Sequence, residues 1–85
     1  MADYTVQLTK KAEKQLDKIT DEDVRKILSA IGDLARNPRP RGSKKLKDRE
    51  AFCIRQGNYR IIYEVFDKLL VIDVIAIGHR RDIYK

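Results

Sequence analysis

The sequence has 85 residues, 42% hydrophobic and 38% charged, with one cysteine, one histidine and a formal net charge of +6. A chain of this size makes one small domain, 1–85, that buries about 60% of the surface its unfolded form exposes, with no room for a second. The lone Cys53 excludes an internal disulfide, and one His with one Cys argues against a transition-metal site.

The opening segment, MADYTVQLTKK, has no apolar h-region, so no secretory leader is expected. Within it Tyr4, Val6 and Leu8 alternate with polar residues, which predicts a half-buried strand. Thr9 is placed to cap a short helix whose apolar positions are Ala12, Leu16 and Ile19. Thr20 is placed to cap a second, with Asp21, Glu22 and Asp23 in the first turn, where the helix dipole favours negative charge. Val24, Ile27, Leu28, Ile31 and Leu34 then form its apolar stripe. Pro38, Pro40 and Gly42 end it. Three strands follow: REAFCIRQ, YRIIYEVF and LLVIDVIAI, separated by Gly57-Asn58 and Asp67-Lys68. The last, interrupted by Asp73, falls far short of the roughly 18 apolar residues a membrane span needs. A soluble, cytoplasmic protein is expected.

This order predicts an α+β fold: an N-terminal strand, an αα-hairpin, then a three-stranded antiparallel meander, with the helices packed on one face of the sheet. Two-residue turns in both hairpins would place Gln56 opposite Tyr59, Arg55 opposite Arg60 and Ile54 opposite Ile61. They would also place Tyr63 opposite Ile72, Ile61 opposite Val74 and Tyr59 opposite Ala76. Phe52, Ile54, Tyr59, Ile61, Tyr63, Val65, Leu70, Ile72, Val74 and Ala76 would then share an apolar, helix-covered face. Cys53, Arg55, Arg60, Ile62, Glu64, Val71, Asp73, Ile75 and Ile77 would share the other, with Asp73 diagonal to Arg60.

The positive charge is concentrated. Residues 36–60 hold nine Lys/Arg against two Asp/Glu, while the flanking segments are nearly neutral. Clustering of this kind marks either a polyanion partner or a solvated basic loop. Arg55 facing Arg60 is a like-charge pair, unfavourable by up to about 1 kcal/mol, and is what a phosphate-binding face looks like without its anion. The closing stretch, IGHRRDIYK, would emerge beside these arginines and bring His79, Arg80, Arg81 and Tyr84 to them. Arg, His and Tyr without a carboxylate pair suit phosphodiester chemistry on RNA, which carries its own 2′-OH nucleophile. Arginines neutralise phosphorane charge but are poor bases, which leaves His79 and Tyr84 as the proton-transfer candidates.

The stretches LKDREAFCIRQGNYRIIYEV and LLVIDVIAIGHRRDIYK resemble the RelE/ParE superfamily of toxin–antitoxin toxins, and HRRDIY resembles the RelE branch in particular. The resemblance implies a RelE-like microbial RNase fold and a metal-independent, cofactor-free endoribonuclease that cleaves mRNA in the ribosomal A site and so inhibits translation. It implies catalytic roles for Arg55, Arg60, Arg80 and Tyr84, with His79 standing where relatives carry Lys or His. Cys53 and Arg55 replace lysines of other members. Arg39, Arg41, Lys44, Lys45, Lys47, Arg49 and Arg81 would contact RNA or the ribosome. The implied partners are a cognate antitoxin, the ribosome and mRNA, with operator DNA reached through the antitoxin. The alternatives are a ParE-like DNA gyrase inhibitor without nuclease activity, or a degenerate nucleic-acid or antitoxin-binding module.

Overall fold

A computed structural model describes residues 3–47 and 50–83. The elements are β1 (Thr5–Leu8), α1 (Lys10–Asp17), α2 (Asp21–Leu34), β2 (Lys44–Lys45), β3 (Ala51–Gln56), β4 (Tyr59–Phe66) and β5 (Val71–His79). The strands form one sheet in the order β1-β5-β4-β3-β2. β3, β4 and β5 make the expected meander. β1, however, runs parallel to β5, so the sheet is mixed rather than wholly antiparallel. Residue alternation in β1 reads the same in either direction, so the pattern alone does not set its sense. The two-residue β2 pairs with Phe52 and Cys53 and is too short to leave a periodic signal.

Thr9 caps α1 as expected, its Oγ1 accepting from the Ala12 N–H at 3.2 Å. Thr20 stands at the N-cap of α2, but its hydroxyl donates to Asp23 Oδ2 at 3.3 Å and makes no backbone cap. Both helices cover one face of the sheet. Ala12, Ile27, Ile31 and Leu34 pack there against Phe52, Ile54, Ile61, Tyr63, Ile72 and Val74. The opposite face carries a small second cluster of Ala51, Cys53, Ile62 and Ala76, partly covered by Leu46, Ile75 and Ile83.

The first hairpin has the expected register, including Arg55 opposite Arg60. The second does not. Its turn runs over 67–70, so Phe66 faces Val71 and Tyr63 faces Val74 rather than Ile72. Leu70, expected in the helix-facing core, is instead an exposed turn residue at φ 53°. That left-handed conformation costs a non-glycine residue roughly 1–2 kcal/mol, and nothing in the turn's composition announces it. A further correction follows at Ile75, an extra residue between Val74, which faces Tyr63, and Ala76, which faces Ile62. A bulge of this kind reverses the alternation of everything after it. Ile77 therefore enters the helix-facing core and Ala76 moves to the other face, the reverse of the expectation.

The buried Tyr63 ties the basic loop to the sheet, its hydroxyl donating to the Pro38 carbonyl at 2.7 Å. Burial pushes its pKa up to about 12, so it remains a donor throughout the ordinary pH range. Tyr63→Phe is expected to lower stability by about 1 kcal/mol, because the carbonyl loses its partner. Thermal unfolding should show this as a Tm roughly 4–8 °C lower; an unchanged Tm would mean that the bond contributes nothing.

Candidate active site

The site begins with a turn. Gly57 is at φ 60° and is the only positive-φ residue of the Gly57-Asn58 pair, which fits a type II′ hairpin. The turn sets Gln56 against Tyr59 and therefore Arg55 against Arg60. Alternation sends both arginines, with Cys53, to the helix-free face. Lys44 joins them from β2, where it stands opposite Cys53. These four residues and Gly42 line a concavity of about 270 Å³, and no acidic side chain among the described residues is in its wall. Arg55 is exposed, while Arg60 is half-buried and donates from Nη1 to the Tyr59 carbonyl at 3.3 Å. Cys53 lies in the floor, only 5% exposed.

Residues 80–83 meet the same corner. The Arg80 N–H donates to the Asn58 carbonyl at 2.8 Å, which fixes the arginine's backbone at the hairpin tip. The N–H groups of Asp82 and Ile83 both donate to the His79 carbonyl, at 2.8 and 3.1 Å. This tight turn folds Ile83 back over Gly78, the residue opposite Arg60. A Cβ on Gly78 would stand 3.1 Å from Ile83 Cδ1, so the glycine serves close packing as well as the bend. Ile83 thereby joins the second apolar cluster beside the cationic concavity. Its anchoring role was not anticipated from the sequence; a glycine followed by one apolar residue in a charged tail was the available signal. Tyr84 and Arg49 lie outside the described residues.

His79 is placed elsewhere. It follows Ile77 by two positions and shares the helix-facing side, with its ring edge-on to Tyr59 at 5.8 Å between centroids. It lines a separate cavity with Gln15, Lys18 and Ile19, and its Nδ1 accepts from the Arg81 N–H at 3.2 Å. The bulge at Ile75 is the reason, since it reverses the side to which every later β5 residue points. The 67–70 turn, two residues longer than expected, removes the expected Asp73–Arg60 diagonal. Asp73 faces Glu64 instead, and burial first, then that carboxylate, pushes its carboxyl above the ordinary range.

The remaining basic residues have different surroundings. Arg41 lines a cleft that adjoins the concavity and shares Arg55 with it. Lys45 pairs with Glu50 at 3.0 Å. Lys47 and Arg81 are exposed. Arg39 lies near the 67–70 end of the sheet. Its guanidinium spans both carboxylate oxygens of Asp67, at 3.2 and 2.8 Å, and sits 5.2 Å from the centre of the Phe52 ring. The Tyr4 hydroxyl donates to the same carboxylate at 2.6 Å.

Two helices on one face of this five-stranded sheet make the fold of the RelE-type toxins. The toxin–antitoxin complex RelBE2 of Mycobacterium tuberculosis contains a chain that superposes with a TM-score of 0.83 at 32% identity, covering 96% of this chain and 97% of that one. The archaeal RelE–RelB complex of Pyrococcus horikoshii contains another, with a TM-score of 0.84 at 28% identity over 94% of this chain and 98% of that one. Toxin RelG of Mycobacterium tuberculosis is 34% identical over 85 aligned residues, covering 96% of this chain and 97% of that protein. Residues 6–84 match the ParE toxin family of type II toxin–antitoxin systems, parDE, and the chain belongs to that family, within the RelE branch of the wider RelE/ParE superfamily. No helix among the described residues is long and apolar enough to cross a membrane.

Asp67 is held below the ordinary carboxylate range, chiefly by the Arg39 guanidinium and then by the Tyr4 hydroxyl. A carboxyl whose pKa is lowered on folding stabilises the fold above its unfolded pKa and loses that contribution as pH falls through the folded value. Asp67→Asn is therefore expected to lower Tm at neutral pH and to matter less at an acid pH where the folded carboxyl is protonated. An equal loss at both pH values in thermal scans would contradict the pairing.

Proposed function

We propose that this toxin is a ribosome-dependent mRNA endonuclease, and that Arg55, Arg60 and Lys44 receive the scissile phosphate. The observation that carries the reading is the direct opposition of Arg55 and Arg60 in one concavity with Lys44. Placing two guanidinium groups and an ammonium around one small space is unfavourable until an anion occupies it. In the proposed reaction the RNA 2′-oxygen attacks the adjacent phosphorus. Negative charge then builds on the phosphorane oxygens, where the cations stabilise it. The P–O5′ bond breaks, leaving a 2′,3′-cyclic phosphate and a 5′-hydroxyl. The proton leaves the 2′-OH and a proton reaches the departing oxygen, so acid and base steps balance. No metal is required, since the cations supply the charge and RNA supplies the nucleophile.

Arg80, whose backbone is bonded at the hairpin tip, is assigned a second contact with this phosphate. Tyr84, which directly follows Ile83 in sequence, is assigned to base stacking or proton transfer. His79 has no part in the proposal, because its side chain lies on the other face of the sheet. The RelBE and RelE–RelB complexes support a cognate antitoxin as the proposed partner; the proposal adds that the pair reaches operator DNA through the antitoxin. The proposed site of action is the cytoplasm, where the ribosomal A site is found. The family match to ParE supports one other reading, a gyrase inhibitor of the same fold that cuts nothing.

The test is to express the chain without its antitoxin and map mRNA 5′ ends on stalled ribosomes. Cleavage within A-site codons is expected, and Arg60→Ala should slow it by about 10²–10³-fold, the usual cost of removing one charge-stabilising donor. Inhibited DNA supercoiling without such ends would favour the gyrase reading. Undiminished cleavage by a folded Arg60→Ala, Arg80→Ala double variant would remove these residues from the mechanism.

A further inference from the structure

A second opening shares a wall with the cationic concavity. It lies between α2 and β3, has a volume of about 240 Å³, and has Gly42 and Arg55 in common with the concavity. Its floor is apolar: Leu34 is 1% and Ile54 7% exposed, and Ala30 and Pro40 extend it. Charged residues line it as well: Arg41, Arg55 and Asp33. One Asp33 oxygen accepts from Arg36 at 3.1 Å, which holds the carboxylate at the end of α2. β2 covers the edge of β3 only at Phe52 and Cys53, so Ile54, Arg55 and Gln56 run on past it, and the cleft opens beside them.

From this continuity we infer that the cleft is a nucleobase subsite, holding a base next to the phosphate bound at Arg55 and Arg60. The inference rests on the proposed reading of those arginines as the phosphate site. The volume is below the roughly 300–1,000 Å³ of typical ligand pockets, which suits one planar ring system rather than a larger ligand. Unstacked bases are bound on apolar surfaces and on the planes of arginine guanidinium groups, both of which line this space. A single strand whose phosphate sits against Arg55 needs no long path to place a neighbouring base here, because Arg55 belongs to both walls.

Asp33 gives the subsite a preference. An ionised carboxylate only accepts hydrogen bonds. Adenine, guanine and cytosine each offer an exocyclic amine to it. Uracil offers one N–H flanked by two carbonyl oxygens, which repel the carboxylate. The subsite therefore favours amine-bearing bases over uracil.

The test uses the full chain and fluorescent 2′-O-methyl RNA tetranucleotides, which the proposed 2′-OH chemistry cannot cleave. The bases flanking the central phosphate are both adenine, both uracil or both absent, and affinity is read by fluorescence anisotropy. The adenine form is expected to bind about five- to tenfold more tightly than the abasic form, with uracil close to abasic. Ala30→Leu, which fills the cleft, should erase the adenine advantage while leaving abasic affinity unchanged. Asp33→Asn should bring uracil up to adenine, and it decides the matter if Ala30→Leu does not fold. An adenine advantage that survives in folded Ala30→Leu overturns the inference. So does an Ala30→Leu chain that keeps base preference but loses its antitoxin, which would make the cleft a protein-docking surface. Equal affinity for adenine and abasic RNA, with Arg60→Ala still weakening both, removes the subsite and leaves the phosphate site standing. If Arg60→Ala changes no affinity at all, the phosphate site fails and the subsite with it.

Discussion

Arg55 and Arg60 face each other across β3 and β4, and the geometry of the helix-free face is organised around that opposition. The tight Gly57-Asn58 turn allows no other pairing without exchanging the faces of every residue in the hairpin. Moving the strands by one residue would expose Ile54 and Ile61 and bury the arginines. The hydrophobic core under the helices thus enforces the like-charge contact on the far side. Its cost, at most about 1 kcal/mol, is small against the apolar burial that holds the register, so the fold tolerates the pair without needing to neutralise it internally. Lys44 enters the same space from a two-residue strand, and no carboxylate among the described residues lines it. The charge is available to the phosphate proposed above.

Two local devices complete this corner. The bulge at Ile75 lets β5 serve both faces: Ile72, Val74 and Ile77 contribute to the main core, while Ala76 supplies a small surface to the second cluster. Gly78 then presents no side chain opposite Arg60, and Ile83 folds into the space thus left. Residues 80–83 are anchored by the Ile83 contact and a few backbone hydrogen bonds, next to the proposed phosphate site rather than over the helices. At the other end of the sheet, Arg39, Asp67, Tyr4 and Tyr63 fasten the basic loop. Arg39 thereby has a structural partner, whereas Arg41 and Lys44, a few residues further on, line the two openings beside Arg55.

Much of this was legible in the residues themselves. Alternation in β3 and β4 and a Gly-Asn turn sufficed to place Arg55 opposite Arg60, and the helical stripes of α1 and α2 identified the covering layer. The second hairpin was not legible, because Asp67-Lys68 resembles a turn while Leu70 adopts the left-handed conformation without a glycine to advertise it. The bulge was hidden for a related reason: in a continuous run such as VIDVIAI either face is apolar, so an extra residue leaves no break in the pattern. His79 and Asp73 were misplaced by these two irregularities and by nothing else. The partition of the basic stretch was also invisible, since a charge count does not distinguish an arginine committed to Asp67 from one facing solvent.

The most direct test of the central claim follows the two guanidinium groups themselves. Arginine Nε–Hε signals can be monitored by nuclear magnetic resonance while an uncleavable 2′-O-methyl RNA dinucleotide is titrated into the full chain. If Arg55 and Arg60 share one phosphodiester, their signals will move together along a single saturation curve. Signals that move along separate curves, or an Arg60 signal that stays still while Arg55 shifts, would contradict a common site.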